Sequence, residues 1–130
     1  MGEKKKVVYI LGPFEYKRGL DDYEAVEDML TDMGYETISP VLIPEGLDKA
    51  KHNRIAVAMI DSADAVVVLP DWRTSQTAVA EHHLALCFDK PLVEVKEKDH
   101  DPYGDGMNPP EIMSAWLRHD LGRALGEVSA

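Results

Sequence analysis

Two runs of apolar, mostly β-branched residues constrain this chain more than anything else in it. They are Val7-Val8-Tyr9-Ile10-Leu11, closed by Gly12-Pro13, and Ala65-Val66-Val67-Val68-Leu69, closed by Pro70. Neither alternates apolar with polar residues, so each reads as a strand covered on both faces, as in a parallel sheet between helical layers. Helical patterns separate them. Tyr23, Val26, Leu30 and Met33 follow Asp21 and Asp22 at helical spacing, and Gly34 stands where that helix should stop. Glu36-Thr37-Ile38-Ser39 is a second strand ended by Pro40. A helix is predicted over Asp48 to Ser62, burying Ile55, Ala58 and Met59. Ser75 or Thr77 opens the next one, which carries Ala78, Glu81 and Ala85, and Leu92-Val93-Glu94-Val95 is a fourth strand. A polar stretch from Lys96 to Asn108 is the one long loop. Pro110-Glu111 then begins a last helix with Ile112, Trp116, Leu117, Leu121 and Leu125 on its apolar side.

Strand and helix in alternation predict an α/β fold: a single domain over residues 1–130, built as a flavodoxin-like or Rossmann-like three-layer sandwich. Its mainly parallel sheet should have four or five strands joined by right-handed crossovers. In such sheets ligands bind at the carboxyl ends of the strands where the strand order reverses, which points to the residues just after Leu11 and after Leu69.

Charge and composition narrow the partners. With 14 Lys and Arg against 24 Asp and Glu, the net charge of −10 argues against nucleic-acid polymers and anionic membranes. It leaves room for one small phosphorylated ligand held by backbone amides. The single cysteine, Cys87, excludes an internal disulfide and any CxxC zinc site. The apolar run after Lys4-Lys5-Lys6 is too short for a signal peptide or a membrane span, so the expected location is the cytoplasm.

Familiar cofactor motifs are missing. The chain holds no GxxxxGK[ST], GxGxxG or HExxH pattern, so P-loop, dinucleotide and zincin chemistry lack their residues. His82 and His83 are adjacent and point about 100° apart on a helix, while His52, His100 and His119 stand alone. Neither a metal nor a cofactor is expected. The turn Gly12-Pro13-Phe14-Glu15-Tyr16-Lys17-Arg18-Gly19 can offer backbone amides and a cation, Lys17 or Arg18, to a phosphate; an ordinary strand-to-helix turn reads the same way. Glu81 lies six residues after Ser75 among Ala78, Ala80 and Ala85, near the ligand-binding edge. A carboxylate there suits attack on a sugar carbon, as in retaining glycosidases; a solvated helical Glu is the plainer alternative. Tyr9, by itself, reads as core.

The combination resembles the nucleoside 2-deoxyribosyltransferase superfamily, which includes the 2′-deoxynucleoside 5′-phosphate N-hydrolases. The resemblance rests on Val8-Tyr9-Ile10-Leu11-Gly12-Pro13, on Gly34-Tyr35-Glu36 with Ser39-Pro40, and on the run from Ala63 to Trp72. Ser75-x-x-Ala78-x-x-Glu81-x-x-Leu84-Ala85 completes it, so that it spans Lys6 to about Val95. It implies that Glu81 attacks C1′ of the deoxyribose, that Tyr9 orients Glu81, and that Ser75 contacts a 5′-phosphate. The Gly12-Pro13-Phe14 loop, with Lys17 and Arg18, would wrap sugar or phosphate, and Asp71 and Trp72 would contribute to substrate binding. Met113-Ser114-Ala115-Trp116 resembles a segment whose serine, here Ser114, completes the neighbouring subunit's site. A homodimer or larger assembly is therefore expected, and the apolar last helix points the same way.

Three positions depart from the family pattern. Ala56 stands where an Asp is usual, Thr77 where a glycine is usual, and Asp71 where phage-type relatives often carry glycine. Asp61 and Asp71 are the candidates to replace the missing acid. The activity implied is cleavage of the base–sugar bond of a deoxynucleoside 5′-monophosphate. Transfer between bases, and a nucleotide-binding module without catalysis, are the alternatives.

Overall fold

The computed structural model describes residues 5–13, 20–44, 46–69, 72–95 and 110–126, with side chains at 20–22 and 110–116 excepted. The elements run β1 (Val7–Leu11), α1 (Leu20–Asp32), β2 (Glu36–Ile38), α2 (Lys49–Ser62), β3 (Ala65–Val68), α3 (Gln76–Cys87), β4 (Leu92–Glu94) and α4 (Pro110–Ala124). Short 3-10 turns at Pro40–Leu42 and Trp72–Thr74 precede α2 and α3. All strand pairs are parallel, in the order β2-β1-β3-β4. The order reverses between β1 and β3, which are the two strands singled out above.

Alternate residues of each strand feed opposite layers. Val8 and Ile10 of β1, Ala65 and Val67 of β3, and Val93 of β4 pack with Tyr23, Val26 and Leu30 of α1 and Leu117 and Leu121 of α4. Tyr9, Leu11, Val66 and Val68 face the other way, onto Ile60 of α2 and Ala78 and Ala85 of α3. Both strands are inaccessible to solvent along Val8–Leu11 and Ala65–Val68, as their uniform apolarity requires.

Local signals set the helix ends. The α1 helix closes in a Schellman turn: Gly34 has φ +95°, its N–H donates to Thr31 O, and the Tyr35 N–H donates to Leu30 O, both at 3.0 Å. Asp48 caps α2 by accepting from the Lys51 N–H at 2.9 Å. Asp64 joins β3 to β1 at the amino end of the sheet. Its carboxylate accepts from the Val7 N–H at 2.8 Å, and its own N–H donates to Val7 O at 2.7 Å.

Several expectations need adjusting. Strands β2, β3 and β4 each stop one residue early, before Ser39, Leu69 and Val95, although Leu69 and Val95 still donate to Leu11 O and Val68 O. The buried face of α2 is rotated by one residue: Ala56 and Ile60 are buried, Ile55 and Ala58 are exposed, and Met59 is half-buried. The reason is contact with α3 as well as the sheet. Ile60 packs into the core beside β1 and β3, and Ala56, four residues earlier on the same stripe, follows it inward to line the cleft. In α4, Leu117 and Leu121 are buried against the sheet, with Leu125 packed beside them. Leu117 and Leu121 therefore cover the chain's own core. The side chains of Ile112, Ser114 and Trp116 lie outside the described residues, as do Phe14, Lys17, Arg18 and Asp71.

Candidate active site

The site begins with a tyrosine in the middle of a buried strand. Tyr9 sits on the face of β1 that looks toward α2 and α3, fully inaccessible to solvent. Its hydroxyl donates to Glu81 Oε1 at 2.7 Å. Glu81 is itself only 4% exposed, although it is ionisable and sits on a helix of alanines and leucines. A buried carboxylate needs donors, and the phenol supplies one. Burial, followed by the charge and hydrogen bond of Glu81, holds the Tyr9 phenol far above its ordinary range, so it remains a protonated donor.

Glu81 reaches the surface through a cleft of about 510 Å³ between α2 and α3, a size typical of small-molecule sites. Its walls are Lys49, Asn53, Ala56 and Val57 from α2, and Gln76, Thr77, Ala80, Glu81 and Leu84 from α3. The α3 helix is placed by Ser75, whose Oγ accepts from the Ala78 N–H at 3.1 Å as an N-cap. Of the two residues expected to open this helix, Ser75 does so and Thr77 lies inside its first turn.

At the carboxyl end of β1 the backbone comes very close to β3. A Cβ built on Gly12 would lie 2.8 Å from Leu69 Cβ and Cδ1, so only glycine fits there. The Tyr23 hydroxyl of α1 donates to Gly12 O at 2.8 Å and pins the start of the loop. Pro13 follows, buried.

The sequence-derived residues are thus brought together unevenly. Tyr9 and Glu81 touch; Gly12 and Pro13 continue the strand that carries Tyr9; Ser75 opens the helix that carries Glu81. Ser75 is 3% exposed, and its capping bond gives it a structural task. Trp72 does not line the cleft. Its ring stacks on His82 with centroids 4.0 Å apart, its Nε1 donates to Glu94 at 3.2 Å, and the Arg73 guanidinium lies 4.6 Å from its centroid. Burial, aided by Arg73 and His83 and opposed by Glu94, lowers the pKa of His82. Asp61 is exposed on α2 outside the cleft lining, so it does not replace an acid at Ala56. Ala56 does line the cleft with Glu81, where the resemblance puts that departure. Lys49, Asn53 and Gln76 line the cleft but were not singled out as site residues. They are ordinary helix-surface residues in sequence, and only the approach of α2 to α3 brings them beside Glu81. Among the described residues no cluster of three or more His, Cys, Asp or Glu could hold a metal ion.

A family model described as a domain of unknown function, DUF4406, matches residues 6–94, from the lead into β1 to the end of β4. The chain belongs to the DUF4406 family. Comparison with curated proteins finds no match. Solved structures similar to this DUF4406 protein include a 2-deoxyribosyltransferase from Bacillus psychrosaccharolyticus, at 19% identity and a TM-score of 0.56, covering 68% of this chain and 70% of that one. A 2-deoxyribosyltransferase from Leishmania mexicana aligns at 20% identity and a TM-score of 0.56, over 68% of this chain and 63% of the other. The chain thus spans less than two thirds of that enzyme. A CMP N-glycosidase from Clostridium botulinum aligns at 15% identity and a TM-score of 0.51, over 68% and 70%. The resemblance read from the sequence therefore holds at the level of the fold, which is that of the 2-deoxyribosyltransferases.

Proposed function

We propose that this DUF4406 protein is an N-glycosidase that cleaves the base–sugar bond of a deoxynucleoside 5′-monophosphate, with Glu81 as nucleophile. The observation that carries the reading is the buried Tyr9–Glu81 hydrogen bond of 2.7 Å at the foot of the α2–α3 cleft. A buried carboxylate that accepts from a phenol and opens onto a ligand-sized cleft is poorly explained as surface or as core. In the proposed reaction a Glu81 carboxylate oxygen bonds to C1′ as the C1′–N bond breaks, and the bonding pair leaves with the base. Water then attacks C1′, releases the sugar phosphate and returns Glu81 as a carboxylate. The two displacements avoid a free oxocarbenium ion. Similarity to a 2-deoxyribosyltransferase and to a CMP N-glycosidase supports sugar–base chemistry. Hydrolysis of a 5′-monophosphate is preferred to transfer because the Lys17-Arg18 pair suits a phosphate and Ser75 opens the helix that carries Glu81, its hydroxyl serving there as the N-cap.

A second reading, a nucleotide-binding module without turnover, is favoured by one observation. Ala56, which is apolar, sits beside Glu81 in the cleft. Incubating the protein with a panel of deoxynucleoside monophosphates and separating free base by chromatography decides between them. Glu81→Gln should abolish base release, by a factor of at least about 10³, as loss of a nucleophile does. Binding without base release would establish the module, and undiminished release by Glu81→Gln would remove Glu81 from the chemistry.

A further inference from the structure

The cleft beside Glu81 has a chemical bias of its own. Lys49, Asn53 and Ala56 are spaced by four and three residues, so they form one stripe on α2; Gln76, Ala80 and Leu84 form the facing stripe on α3. Ala56 and Glu81, each 4% exposed, form the floor. Among the described lining residues Lys49 is the one cation and Glu81 the one carboxylate. The side chains of Lys49, Asn53 and Gln76 make no hydrogen bond or ion pair with another described residue. Among the described residues, an ammonium and two carboxamides therefore line the cleft that Glu81 opens into, and no second acid lines it.

We propose that this cleft is the leaving-base pocket and that Lys49 and Asn53 make it selective for bases presenting a carbonyl oxygen. The inference rests on the glycosidase reading of Glu81. When the C1′–N bond breaks, its electron pair passes to the base nitrogen and, in an oxo base, is delocalised onto a ring carbonyl oxygen. The Asn53 N–H and the Lys49 ammonium donate to that oxygen and stabilise the anion where its charge collects. A proton from solvent then gives the neutral base. An amino group at the same place presents hydrogens to the Lys49 ammonium, which has donors only. The pocket needs no acid because its preferred leaving group departs as a stabilised anion.

Hypoxanthine and adenine form a matched pair of purines that differ in the group on C6 and in the proton on the adjacent N1. Two measurements test the pocket: binding of each free base, followed through the side-chain amide NMR signals of Asn53 and Gln76, and base release from dIMP and dAMP. Wild type should bind hypoxanthine at least about tenfold more tightly than adenine and turn over dIMP faster by a similar factor, equivalent to one well-placed hydrogen bond. Lys49→Met and Asn53→Ala should each flatten that ratio while leaving the unfolding midpoint near wild type. Equal affinity for the two bases, or an unchanged ratio in both variants, overturns the proposal. Absence of base release with hypoxanthine still seated at Asn53 overturns the glycosidase reading and leaves the base selectivity standing.

Discussion

At the scale of single residues, the pairing of Tyr9 with Glu81 turns two otherwise plain side chains into a site. Tyr9→Phe keeps the ring and removes the donor. It should lower turnover by about 10- to 100-fold, less than the loss in Glu81→Gln, because it disturbs the orientation of the nucleophile and not its presence. It should also cost about 1–3 kcal/mol of stability, since a buried carboxylate loses a donor. Parallel kinetics and urea unfolding check both outcomes; a faster or unchanged variant would separate Tyr9 from Glu81's task. His82 gives a pH-dependent counterpart. Its folded pKa lies below the ordinary 6.5, so between the two values the unfolded chain binds more protons. The stability it contributes is complete above about 6.5 and is lost as pH falls through the lower folded value. An NMR titration should place the His82 midpoint below 6.5 and loosen the Trp72 stack on the acid side; a midpoint at or above 6.5 contradicts this.

At the scale of elements, the switch between β1 and β3 depends on one missing Cβ. Gly12 is needed for space, not for an unusual φ, because Leu69 fills the volume that a side chain would take. Gly12→Ala should therefore destabilise by about 1–3 kcal/mol through overpacking, with β1 and the loop displaced from Leu69. A denaturant midpoint equal to wild type would show that the strand ends are further apart than described. The same element contacts explain α2. Its sequence offers Ile55 and Met59 as an obvious apolar pair, yet Ala56 and Ile60 face inward. Burial of Ile60 in the core sets that rotation, and with it Lys49, Asn53 and Ala56 line the cleft.

For the whole molecule, the two helical layers have different tasks. The α1–α4 layer is apolar packing against β1, β3 and β4, whereas the α2–α3 layer holds Glu81 in its inner face. Leu121 is fully buried in the packing layer, remote from the cleft lining. Leu121→Ala should cost about 2–5 kcal/mol and leave kcat unchanged in the folded fraction. Calorimetry together with activity normalised to folded protein tests this; a kcat loss without destabilisation would tie α4 to the site.

The sequence by itself determined the sheet and its orientation. Continuous apolar runs at Val7–Leu11 and Ala65–Leu69 fit between two helical layers, and Gly34 and Ser75 mark a helix end and a helix start by short-range chemistry. Glu81 was legible as a candidate because an acid among alanines violates that same logic. Which way α2 faces was not legible, since Ile55/Met59 and Ala56/Ile60 both satisfy helical spacing and only the packing of α2 on the sheet and α3 separates them. Nor could spacing along the chain show that Trp72 leaves the cleft for His82 and Glu94, or that Lys49, Asn53 and Gln76 border it. Periodicity reports which residues share a face; what that face meets depends on contacts between segments far apart in sequence, and those the tertiary structure alone decides.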